Sequence, residues 1–198
     1  MRGTRLFAAG TAAVLATALL GAARPDVSRG AYPDKPPLKH TGGFGEPTCV
    51  QCHLGAEPNA AGGTLSITGV PDAFRPGETY RLTVRVARAE MVVGGFQLAA
   101  RFADGVAAGR QAGTLRAVDE RAQVTTDTVS GVQYASQTKP GAEQTAHWAA
   151  EWSLDWTAPA TSAGPVVFHL AANAGNGDES PLGDFVYWKE AVARAAGP

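Results

Sequence analysis

Between Thr79 and Ala87 the chain alternates without interruption. Tyr80, Leu82, Val84 and Val86 fall on one side, and Arg81, Thr83, Arg85 and Ala87 on the other. A period of two marks a strand with one face against a core. The pattern returns from Trp148 to Trp156, where Trp148, Trp152, Leu154 and Trp156 share a face opposite His147, Glu151, Ser153 and Asp155. Shorter strands are expected at 64–68, 92–102, 113–118, 123–126, 132–135, 164–172 and 185–188. Pro76-Gly77, Thr157-Ala158-Pro159 and the polar loop from Asn173 to Asp184 supply the turns between them. No amphipathic helix of useful length follows residue 23, and 24 Gly and 13 Pro favour many turns. The expected fold is all-β, a sandwich of immunoglobulin-like type over residues 63–189. The tryptophan face is read as core packing, and the tail 190–198 as a frayed helical turn.

Ahead of that body lies Cys49-Val50-Gln51-Cys52-His53, a CxxCH pentapeptide holding the two cysteines of the sequence. This spacing is the attachment signature of c-type haem. Two thiols three residues apart reach two vinyl groups on one side of a porphyrin, and the histidine after them offers an imidazole nitrogen to the iron. The competing readings are a small disulfide or a thioredoxin-like dithiol. A dithiol site should open a helix after a buried strand. Here Gly42, Gly43, Gly45 and Pro47 precede the motif, and Gly55, Pro58 and Asn59 follow it. Zinc would want four ligands, a thin prospect with two cysteines and scattered histidines.

The N-terminus reads as a secretion signal over residues 1–23. Arg2 and Arg5 lead an apolar run from Leu6, and Gly21-Ala22-Ala23 offers a cleavage site. The alternative is a retained anchor, since Leu6 to Ala23 is at the short end of a membrane span. Cleavage would take the formal charge from −1 to −3, which leaves no basic field for nucleic acid. Export, to the periplasm or cell surface, agrees with haem attachment outside the cytoplasm. Residues 24–40 are Pro-rich and read as a linker, and 41–62 as the haem-attachment segment.

Several stretches, taken in order, resemble bacterial secreted proteins with a reeler-like (choice-of-anchor) domain. They are Thr41 to Cys49 leading into CxxCH, Phe74 to Val84, Gly95-Phe96-Gln97-Leu98, Ala108-Gly109, Trp156 to Pro159, and Phe168 to Asn173 with Asn176-Gly177-Asp178. The resemblance spans about residues 41–188 and implies a reeler-like β-sandwich with an N-terminal haem segment. It implies little about biochemical role. One departure is Tyr134-Ala135-Ser136-Gln137-Thr138, where the family often shows Tyr-x-x-His-Thr. Any haem role of that histidine in relatives is absent here.

With Cys49, Cys52 and His53 as the haem-binding set and His53 as proximal ligand, the other axial position has few candidates. His169 is favoured because it lies in a matched motif, on a strand face turned away from Val166, Phe168 and Leu170. His40 and Met91 are the alternatives, and His147 reads as solvated. Asn173, Asn176, Asp178, Glu179, Ser180 and Asp184 together offer oxygens to calcium, although such clusters are more often turn residues. No Gly-x-Ser-x-Gly elbow, HExxH helix or phosphate loop is present. The expected function is therefore an exported monohaem c-type cytochrome, a non-catalytic carrier of single electrons to a periplasmic or surface redox protein. The alternative is a secreted β-sandwich adhesion or scaffold module in which haem is a sensor or a staple. A peroxidase or small-gas binder would require an open sixth position.

Overall fold

A computed structural model describes residues 34–196. The signal-peptide reading and most of the linker lie outside the described residues.

The strands are β1 (Leu54–Gly55), β2 (Gly63–Thr68), β3 (Ala73–Phe74), β4 (Thr79–Arg88), β5 (Val93–Phe102), β6 (Thr114–Ala117), β7 (Ala122–Thr126), β8 (Gln133–Gln137), β9 (Ala149–Thr157), β10 (Val166–Gly175) and β11 (Leu182–Ala195). They form two sheets. The smaller runs β2-β4-β9-β6; the larger runs β1-β11-β10-β5-β8-β7, with β3 also paired to β11. The alternation at Thr79–Ala87 thus becomes the centre of the smaller sheet, with Leu82 opposite Leu154 and Val84 opposite Trp152.

The two inner faces close over one core. Leu82, Val84, Val86, Trp152, Leu154 and Trp156 meet Phe96, Leu98, Ala100, Phe168 and Leu170. Trp152 stacks on Phe96 with centroids 4.5 Å apart, and Trp156 meets Phe74 and Phe168 edge-on. Each buried indole needs an acceptor. Trp152 Nε1 donates to the Gly141 carbonyl at 2.8 Å and Trp156 Nε1 to that of Ala112 at 3.0 Å. The chain is a β-sandwich.

Three expectations are corrected. Trp148 leaves the tryptophan face: it has φ 58°, lies before β9, is 41% exposed, and stacks on His147. The tail is strand, since β11 continues to Ala195 and pairs with β10 through Ala193↔Val166. Its alanine-rich sequence favours helix weakly, and pairing between β10 and β3 overrides that preference. Finally, the larger sheet is covered on both faces. Residues 34–53 run across its outer face as a strap, with Leu38 packed on Ala99, Val132 and Tyr134. The His40 amide donates to Gln97 Oε1, and Gln97 Nε2 donates to the Pro37 carbonyl. Part of the stretch read as linker is therefore held against the sandwich.

Candidate functional site

The CxxCH peptide sits at the end of the strap in a 3₁₀ turn, Cys49–Gln51. Thr48 caps it, its hydroxyl accepting from the Val50 amide. The turn closes as the amides of Cys52 and His53 both donate to the Cys49 carbonyl, at 3.1 and 2.9 Å. Positions i, i+3 and i+4 of a helical turn share a side. Cys49 and Cys52, i and i+3 of this 3₁₀ turn, therefore stand on one side, and His53 follows directly. Both thiols are free and part-buried.

The turn is tied to the far end of the sequence. The Leu54 amide donates to the Pro181 carbonyl, and β1 pairs with the start of β11 through Leu54↔Leu182 and Gly55↔Asp184. Gly55 is required there, because a methyl group on it would overlap the Asp184 carbonyl. Asn59 adds two bonds: its amide donates to the Val186 carbonyl, and its side-chain oxygen accepts from the Trp188 amide. This pairing brings His53 to Asp184.

His53 Nδ1 lies 2.6 Å from Asp184 Oδ2. Asn173 Nδ2 donates to the same oxygen at 3.1 Å, and the Asn176 amide donates to Asp184 Oδ1 at 3.1 Å. The carboxylate is almost wholly buried, whereas His53 is partly open. Burial raises the Asp184 carboxyl, but the bonds from His53, Asn173 and the Asn176 amide outweigh it and hold the group below the ordinary carboxylate range. Asp184 is an anion at neutral pH. Asn173 Nδ2 also lies 3.1 Å from Nδ1; of the two neutral tautomers, the one that donates to the carboxylate from Nδ1 has its lone pair on Nε2. Ligating histidines are held in this way, with the second nitrogen donating to an outer carboxylate.

The surroundings of Cys49 do not favour its thiolate. Burial, reinforced by neighbouring Cys52, pushes the Cys49 thiol up to about 12 despite one favourable backbone bond. A disulfide oxidoreductase needs the opposite, a thiolate stabilised near neutrality. Two free thiols followed directly by an imidazole fit the covalent haem expected from the sequence: two sulfurs for thioethers and one ring nitrogen for iron.

The other candidates lie elsewhere. His169, 7% exposed, is beneath the strap. A methyl group on Gly43 would overlap its ring, Phe44 meets it edge-on at 5.2 Å, and Nε2 is 3.2 Å from Glu190 Oε1. Burial lowers its pKa. Asn173, which touches His53, is four residues along β10 from His169, roughly 13 Å of strand. The structure does not bring the two histidines together. Met91 is buried in the core beside Gly94. His40 is the candidate joined to the haem turn, through Nε2 to Gln51 Oε1 at 2.7 Å. Gln137 accepts from the Phe96 amide in the larger sheet.

The calcium group divides. Asp178 accepts from the Ser180 amide and from Asn176 Nδ2, Asn176 Oδ1 accepts from the Asp178 amide, and Ser180 Oγ accepts from the Leu182 amide. Asp184 turns instead to His53. Among the described residues no group of three or more His, Cys, Asp or Glu is arranged to hold a metal ion by itself. Asp184 is the residue that sequence reasoning missed as a partner of His53. An acid beside the apolar run Phe185-Val186-Tyr187 was its available signal.

No family model matches this chain, and no curated protein matches it. Among solved structures, the chain is similar to the human F-spondin reeler domain, with 20% identity over 73% of this chain and 95% of that one and a TM-score of 0.46. It is also similar to the Reelin-N domain of F-spondin, at 19% identity over 75% and 96% of the two chains, TM-score 0.46. A cohesin module from the Clostridium perfringens family 33 glycoside hydrolase aligns at 13% identity over 67% and 94%, with a TM-score of 0.44.

Proposed function

We propose that this chain is an exported β-sandwich that carries one haem c on Cys49, Cys52 and His53 and transfers single electrons to a periplasmic or surface redox protein. The observation that supports this most is the His53–Asp184 pair beside two free thiols: a helical turn presents both sulfurs while the imidazole keeps Nε2 free. Bound there, haem supplies one-electron cycling of iron between ferrous and ferric states. The chain's own residues do the rest. Cys49 and Cys52 would hold the macrocycle and His53 would offer a ring nitrogen to its iron, while the β1–β11 pairing fixes the turn to the sandwich. His40 is the further residue we favour to hold the group, since it is bonded to the CxxCH turn through Gln51, whereas His169 would have to displace Gly43 and Phe44 and Met91 would have to leave the core. Export rests on the signal read over residues 1–23.

The test is a redox titration of protein exported from a host competent in haem attachment. A reversible one-electron transition with a c-type α-band supports the carrier. A haem that stays redox-inert toward soluble donors contradicts it.

The extent of the sandwich favours a second reading. Two sheets occupy most of the described chain, while the haem motif is five residues at one edge. In this reading the sandwich is an adhesion or scaffold module, and haem is a sensor or staple. Partner binding that persists in a Cys49→Ser/Cys52→Ser variant would favour it over electron transfer.

A further inference from the structure

We infer that Asp184 is a positioning residue for the iron centre, acting through His53 to hold its ring and to strengthen Nε2 as a donor, so that the oxidised state is favoured. The inference rests on the haem reading above and goes beyond it, because attachment through two sulfurs does not require a buried anion behind the imidazole.

The carboxylate is built into the fold. Asp184 begins the apolar part of β11 and is 4% exposed. Asn173 Nδ2 and the Asn176 amide hold its two oxygens, so it cannot turn away from His53 without leaving two donors unpaired. Gly55 lies against its backbone carbonyl, and a side chain on Gly175 would come within 3.4 Å of Oδ1. These contacts fix the oxygen that meets His53 Nδ1 at 2.6 Å. A charged acceptor makes a shorter and stronger bond than a neutral one. Electron density drawn toward the ring by the departing Nδ1 proton is available at Nε2, and a more basic ligand stabilises ferric over ferrous iron.

A purely structural Asp184 would cap the loop at Asn176 and leave the iron unaffected. Asp184→Asn tests this, since it keeps the size and one acceptor oxygen, which can still face His53 Nδ1, and removes the charge. The full exported protein is prepared as wild type and as D184N, haem attachment is read by intact mass, and the midpoint potential by spectroelectrochemistry. The expected result is covalent haem in both and a higher potential in D184N. Asn173→Ala serves as the second variant. It keeps the anion and removes a donor competing for Oδ2, so its potential should fall. With haem attached, an unchanged or lower potential in D184N overturns the inference, and so does an unchanged or higher one in N173A. A wild-type protein without covalent haem sinks the haem reading itself, and the inference with it.

Discussion

Arg101 grips Glu46 with two parallel bonds: Nη1 donates to Oε1 and Nη2 to Oε2, each at 2.8 Å. Arg101 belongs to β5 of the larger sheet and Glu46 to the strap, and both side chains are largely buried. Thr41 and Tyr134 donate their hydroxyls to the same carboxylate, and Phe44 lies over the guanidinium at 4.9 Å. This is the clasp that keeps the segment leading to CxxCH on the outer face. Breaking one side of a buried pair strands the other charge, at a cost of about 3–5 kcal/mol. Glu46→Gln should therefore lower stability by about that much in urea unfolding, whereas Glu46→Leu with Arg101→Met should recover most of the loss.

Acidity should open the same clasp. Burial raises the Glu46 carboxyl, but bonds from Arg101, Thr41 and Tyr134 win and hold it below its ordinary value of 4.5. A carboxyl depressed in the folded state stabilises fully above its unfolded pKa, and that stability is lost as pH falls through the folded value. Urea midpoints of wild type should thus fall from pH 5 downward, and more steeply than those of E46Q. Parallel curves for the two proteins would remove Glu46 from the acid response.

Two glycines hold the CxxCH turn and the strap before it through close approach. Gly55→Ala would drive a methyl group into the Asp184 carbonyl, and Gly43→Ala one into the His169 ring. Overpacking of this kind costs about 1–3 kcal/mol. G55A should separate β1 from β11 and reduce the fraction of exported chains bearing haem. G43A should destabilise the strap by a similar amount with attachment largely preserved. Intact mass and thermal melting on the two variants check both statements.

The core should behave independently of the turn. Trp152→Phe keeps a ring against Phe96 but removes one of the two donors on the Gly141 carbonyl, which retains Arg121 Nη2 at 3.1 Å. The expected loss for the one hydrogen bond is about 0.5–1.5 kcal/mol, read as a lower urea midpoint with an unchanged visible spectrum.

The strands that alternate were legible from the residues, because a core on one side imposes a period of two. Leu82, Val84, Trp152, Leu154 and Trp156 needed nothing further. The other face of β10 was not legible. Val167, His169 and Ala171 read as an open strand face and Asn173 as the start of a loop, but all four are buried, under the strap or beside the CxxCH turn. A strand covered on both sides loses its alternation, and the covering residues lie more than a hundred positions earlier. The same distance hid Asp184 from His53. Motif spacing identifies three residues of a site within one turn, and it carries no information on a partner delivered by β1–β11 pairing. Trp148 failed for a local reason, since a left-handed turn just before β9 removes it from the strand's parity.

The most direct measurement is intact mass with a visible spectrum on the mature protein exported from a host that attaches haem. One haem added to the chain mass, held under denaturing conditions, with a c-type α-band on reduction, is the predicted result. A colourless protein two hydrogens lighter, with Cys49 bonded to Cys52, would contradict it and leave a β-sandwich without an iron centre.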